Sequence, residues 1–311
     1  MKRCDPIMQD AARMWQFAHA HGFAHELKDL HRLRASQMIY AIVLDWSLIA
    51  LAAYAVWLFG WIIAPIAVLL IGNRQRALGN LLHDASHWNL ENRRRRAWIV
   101  NLLLCWPLWV SMSLYRDEHT RHHRYLGDPQ RDPDYIHDEQ RLDHGWLAVW
   151  WAQLSSLKTL KGSIFSHLGR ADRESLIGMA IWWATTLTTI GIVFGATSAV
   201  WFAALWVVSR ATAFHAITTF REISDHVGLK PGSMIGFSRN HPFRGAASAL
   251  FHPHNNGYHL LHHLAPGLPF HAMPAAHRLL LRWPPYVGGA QCESYFIGDS
   301  SAVRSWVLRS A

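Results

Sequence analysis

Residues 38–87 read MIYAIVLDWSLIALAAYAVWLFGWIIAPIAVLLIGNRQRALGNLLHDASH. Positions 38–73 are almost entirely apolar. One bilayer crossing takes about 20 apolar residues, so this run is long enough for two. Phe59–Gly60–Trp61 interrupts it near its middle, where a hairpin turn belongs. The reading is therefore two spans, 38–58 and 61–82. The apolar part of the second ends near Asn73, Arg74 and Arg76 follow, and Ala77–Leu82 leads into His83 and His87. The second helix is expected to outrun the membrane and to carry both imidazoles on its emerging end.

The same plan recurs downstream. Leu176–Phe194 is a third apolar run, Gly195–Ala196–Thr197–Ser198 a turn, and a fourth span covers 198–220 with Arg210 marking its exit. Neither hairpin turn carries a charge, and Lys and Arg lie outside the turns and the apolar runs beside them. The positive-inside rule then puts both termini, residues 83–175 and residues 221–311 in the cytosol. Residues 97–114 are apolar enough to cross as well, but a crossing would separate His83 from the histidines that follow. Pro107 within the run and the arginines at 93–96 suit a helix lying along the headgroups. Trp146–Leu157 reads as a second such helix, and 124–145, 228–246 and 264–274 as irregular chain rich in Gly, Pro or Asp. The fold expected is all-α: an integral membrane four-helix arrangement of two hairpins beneath a cytosolic, histidine-rich helical cap.

Composition agrees. The chain has 311 residues, 51% of them apolar, and a formal net charge of +9. The basic residues flank the spans, which points to anionic headgroups or an acidic redox partner. No recognition motif accompanies the charge, so nucleic acid is not an expected partner. The three cysteines, Cys4, Cys105 and Cys292, are far apart, with neither metal spacing nor a disulfide framework. The first 37 residues lack the short apolar stretch of a secretory signal. The tryptophans suit interfacial belts. Asp45 lies inside the first span, where an ionisable side chain is functional by default; only two turns from the start of the span, it also has the option of reaching the interface.

Three histidine groups sit where apolar runs give way to polar chain: His83 and His87 in HDASH, His119, His122 and His123 in HTRHH, and His259, His262 and His263 in HLLHH. On a helix, positions i, i+3 and i+4 share a face, so each group aims its rings at one point. Neutral imidazole suits zinc, copper, iron and nickel. Eight rings exceed the four ligands of a zinc site and are enough for two metals, which favours redox-active iron.

HDASH, HTRHH and HLLHH resemble the three histidine boxes of the membrane fatty acid desaturase superfamily, whose members include hydroxylases and ketolases. The resemblance covers roughly residues 38–285, leaving 1–37 as a cytosolic N-terminal segment and 286–311 as a tail. It implies two Fe ions, O2, an electron donor of the ferredoxin or cytochrome type, and an apolar substrate such as an acyl chain entering from the bilayer. The third box departs from many relatives in having His259 first and Leu261 before the last pair. The segment Arg221–Glu222–Ile223–Ser224–Asp225–His226 is similar to a pattern that supplies one further ligand in relatives. It makes His226 the ninth candidate, with His215 as its competitor three turns back. Asp84, Asp128, Asp132, Asp134 and Asp225 lie beside the boxes and are placed to orient their rings. The expected activity is desaturation. Hydroxylation, ketolation or oxidative decarboxylation stay open, because substrate placement rather than the ligand set decides. A metal transporter would put its ligands near the bilayer midplane instead, and a zinc-dependent hydrolase would hold one zinc.

Overall fold

The computed structural model describes residues 6–90, 97–137 and 143–307. Cys4 and the arginines at 93–96 lie outside them. The long apolar run folds as two packed helices. Its first helix, Ala35–Phe59, ends at Gly60, whose φ of +74° only glycine adopts freely, and a short turn leads to the second, Ala64–Ser86. Ala41, Asp45, Ile49, Ala52 and Val56 form one buried stripe at helical spacing, packed with Ala67, Ile71 and Leu78 of the second helix. Off this stripe, Ile39, Val43 and Leu51 are exposed.

The next long helix begins after Asp172, which caps Arg173–Phe194 by accepting from Ser175 N at 2.8 Å. After Gly195, Ala196–Ser209 passes through one π turn, Arg210–Phe214, into His215–His226. Among the described residues, three helices are long and apolar enough to cross a membrane: Ala35–Phe59, Arg173–Phe194 and the 31-residue run Ala196–His226. Only 22%, 11% and 33% of their apolar windows are buried inside the protein, which leaves wide apolar faces that need a nonaqueous surrounding.

The expected span 61–82 is different in kind. Its second half carries Asn73, Arg74, Gln75, Arg76 and Asn80, all buried. A buried polar group needs a partner, and three of these reach backbone carbonyls of other elements: Asn73 Nδ2 meets Leu250 O at 2.8 Å, Asn80 Nδ2 meets Pro253 O at 2.8 Å, and Gln75 Nε2 meets Trp206 O at 3.0 Å. They fix the helix that carries His83 against the chain leading into the third histidine group. Asp45 belongs to the same clamp. It is fully buried, 3.0 Å from Arg74 Nη1 and 2.7 Å from His254 Nε2, and does not reach an interface.

Residues 97–114 form a short helix, Ala97–Val100, then a π turn, Asn101–Cys105, then irregular chain over 106–111 before the helix Met112–Tyr125 begins. Leu104 and Cys105 are buried. Trp106 lies on Gly178, where a Cβ would stand 2.3 Å from the indole. The segment is too short to span. Trp146–Leu154 is a helix, and Met234–Phe237 adds a turn within otherwise irregular chain. A two-residue parallel pairing of 239–240 with 290–291 is a small exception to the all-helical plan. The N-terminal helix Pro6–Ala20 buries Met14 and Ala18 in a core that includes Leu260, Leu261 and Leu264, so it supports the third histidine group from outside.

Candidate metal centre

Four helix segments deliver the histidines, His226 being the last residue of His215–His226. His83 and His87 end the helix Ala64–Ser86, whose last two carbonyls, Ala85 O and Ser86 O, accept from Arg116 at 3.1 and 3.2 Å. His119, His122 and His123 occupy the last turns of Met112–Tyr125, capped by Ser111. His259, His262 and His263 lie on His259–Leu264. All nine histidines expected at the site meet. His83, His87, His119 and His262 offer nitrogens within 4.8 Å of one another, as do His122, His226, His259 and His263. His123 stands between the groups, its Nε2 3.1 Å from that of His119 and 3.0 Å from that of His262, its ring 4.5 Å from the His263 ring. Because the first two boxes share one site, 97–114 cannot carry the chain across a membrane between them.

The contacts are chemically unusual. Nε2 meets Nε2 at 2.8 Å in His87–His119 and in His226–His259, and at 3.0 Å in His259–His263. His119 Nε2 faces two other such nitrogens at once. A neutral ring nitrogen has either one proton or one lone pair, so hydrogen bonding does not satisfy this arrangement. A metal does. With metal–nitrogen bonds of about 2.1 Å, neighbouring ligands at a right angle lie about 3.0 Å apart. Both nitrogens of His83 are buried without a hydrogen-bond partner. Burial, reinforced by neighbouring rings, holds His119, His123, His259, His262 and His263 well below the ordinary imidazole value, and burial with Arg116 nearby pushes His87 down to about 4. Neutral rings are the form that binds metal. The residues fit a pair of transition-metal ions.

His122 departs from this pattern. Burial works against its charge, but its Nδ1 donates to Asp132 Oδ1 at 2.8 Å, and the net shift is upward. The bond fixes the ring with Nε2 turned to the site. Asp132 is itself held by Gly127 N and Asp134 N, each at 2.9 Å. His226 Nδ1 donates to Phe237 O at 2.6 Å. Asp225 lies 3.7 Å from His259 Nδ1 and 2.8 Å from Arg221 Nε. The other aspartates serve elsewhere: Asp84 accepts from Phe270 N at 2.7 Å, Asp128 from the backbone of Gln130 and Arg131, and Asp134 stays 3.9 Å from His122. An Asp132→Asn variant should keep the loop folded while weakening the hold on His122. The expected result is a metal affinity or turnover lower by about 10–100-fold, read by chelator competition on purified protein.

His215 is buried too, but away from the cluster, with Nδ1 2.8 Å from Ser163 Oγ and Nε2 2.9 Å from Leu154 O. Sequence reasoning singled out Asp225 but not the buried set it forms with His241 and His252, because no helical repeat links those positions. It also missed the cavity beside the histidines, about 500 Å³, whose walls include Arg76, Asp134, Lys158, Arg221 and Glu222.

Residues 59–294 match the fatty acid desaturase family. The chain belongs to that family: it is a desaturase-family membrane oxidoreductase with a histidine-box site able to hold metal. Among characterised relatives, it is similar to the dihydrorhizobitoxine desaturase of Bradyrhizobium elkanii, 30% identical over 293 residues, covering 85% of this chain and 82% of the relative.

Proposed function

We propose that this protein is an O2-dependent di-iron desaturase that introduces a carbon–carbon double bond into a saturated segment of its substrate. The observation that carries this reading is the convergence of nine histidines into two adjoining groups with nitrogens aimed inward. His83, His87, His119, His123 and His262 would hold one iron, and His122, His226, His259 and His263 the other. Together the irons would supply the oxidation of an unactivated C–H bond by O2.

The chain's own work is positional. The polar half of the helix Ala64–Ser86 locks the first box onto the third, Asp132 and Phe237 O orient His122 and His226, and the surrounding burial keeps the rings neutral. The four-span, two-hairpin topology with the site on the cytosolic side follows from the uncharged turns, and electrons would come from a ferredoxin or cytochrome-type donor there. That the similar relative is named a desaturase favours loss of two hydrogens over gain of oxygen.

The test is metal analysis with product mass spectrometry. Purified protein should hold two irons per chain and, with O2 and reduced ferredoxin, yield a product two hydrogens lighter than its substrate. One zinc per chain with no oxygen consumption would overturn the proposal, and a product gaining one oxygen would make the protein a hydroxylase.

A further inference from the structure

Arg210 opens the π turn in the run that ends at His226, and it is 2% exposed. Its Nε donates to Ser163 O at 3.1 Å and to Ile164 O at 3.3 Å. The guanidinium carbon lies 5.2 Å from the centre of the Trp109 ring and 4.6 Å from that of Phe214. Nη1 is buried without a hydrogen-bond partner. Among the described residues no carboxylate comes within 4.0 Å of this guanidinium, and no charged neighbour acts on it. A guanidinium withdrawn from water is costly unless an anion meets it. A π turn inside a helix is also a frequent mark of a functional position.

Arg210 lines a second cavity, of about 310 Å³, whose walls include Leu82, Leu108 and Val110. None of the nine histidines of the metal centre lines it. Thr218, further along the same helical run, lines it too, and its hydroxyl is likewise buried without a partner. The charged side chains on the walls are Arg76, Arg210 and Glu222. Arg76 and Glu222 act on each other and so offset each other. One positive charge, that of Arg210, is left over. We propose that this cavity holds one small monovalent anion of the halide class, bound by the Arg210 guanidinium and the Thr218 hydroxyl. Both free groups are hydrogen-bond donors. A halide accepts from donors in any direction, carries the single charge the walls lack, and brings no body that would have to fit the apolar part of the cavity. Its role is structural. It neutralises the guanidinium that fastens the helix Leu157–Phe165 to the run carrying His226, and it takes no part in the oxidation.

The experiment uses the full chain with its metals, purified in detergent in a gluconate buffer. Chloride, bromide or acetate then replaces gluconate at constant ionic strength. With chloride and with bromide the melting temperature should rise along a saturating curve, by at least about 2 °C at saturation. With acetate it should stay flat. Chlorine NMR should show an excess linewidth on the protein that bromide removes by competition. Arg210→Gln should lose both responses. Thr218→Val should melt no lower than the wild type in gluconate, because a buried hydroxyl without a partner is gone. Its chloride affinity should nevertheless be about tenfold weaker, one hydrogen bond to a charged group being lost. If Arg210→Gln does not fold, the chloride titration of Thr218→Val decides. A wild-type melting temperature indifferent to chloride would overturn the proposal and leave the cavity to water. Acetate acting as strongly as chloride would overturn it too, as would a variant that responds to chloride as the wild type does.

Discussion

Replacing His119 by alanine, or His263 by alanine, should abolish turnover, each change removing metal from one site. His119 belongs to the first four-histidine group and His263 to the second. Loss of a partner that merely orients a ligand costs about 10–100-fold, so loss of a ligand should exceed a hundredfold. Iron should fall from two per chain to about one in each variant and to none in the double variant. The control is His215→Ala. That ring is as buried as the others, but both nitrogens are spent on Ser163 and Leu154 O. Its removal leaves two polar groups without partners, a stability loss of about 1–3 kcal/mol, while iron content stays at two. Inductively coupled plasma mass spectrometry on the four proteins checks this. Two irons retained in His119→Ala or His263→Ala would refute the assignment of ligands.

Much of this site is legible in the sequence because a helix turns a spacing into a direction. His119, His122 and His123 face one way wherever their helix goes, and the same holds for His259, His262 and His263. That the three segments converge is not contained in any one of them, but the alternative, eight imidazoles scattered at span ends, would leave such spacings without a cause. The apolar runs were equally readable, since one long run broken by Phe59–Gly60–Trp61 has few solutions. What sequence could not show depends on contacts between distant segments. Asp45 looked like a charge inside a span; its partners, Arg74 and His254, lie on two other elements. The polar residues 73–80 looked like chain emerging into water. Instead they are buried, because segments 249–253 and 206 bring carbonyls to meet them. Arg76 and Glu222 gave no signal, since they are ordinary charged residues until a fold places both on one cavity.

The same limit applies to glycine. Gly72 and Gly79 lie two turns apart on the helix Ala64–Ser86, and nothing in the sequence separates them. A Cβ on Gly79 would meet no atom within 4 Å. On Gly72 it would stand 2.6 Å from Ala213 Cβ, 2.7 Å from Phe214 N and 3.0 Å from Ser209 O. Two of those atoms are backbone, at the π turn of the helix that ends in His226, so no side-chain rotation relieves the clash. Gly79→Ala should stabilise the protein by about 0.5–1 kcal/mol, because alanine loses less conformational freedom in a helix interior. The identical change at Gly72 should reverse the sign and destabilise by at least about 1–3 kcal/mol, the usual cost of overpacking. The two helices must also part, which carries His83 and His87 away from His226. Gly72→Ala should therefore lose iron as well as thermal stability, while Gly79→Ala keeps both. Melting curves and iron content of the two variants, purified in the same detergent, test this. Equal behaviour would mean that the helix crossing at Gly72 does not set the position of the metal centre.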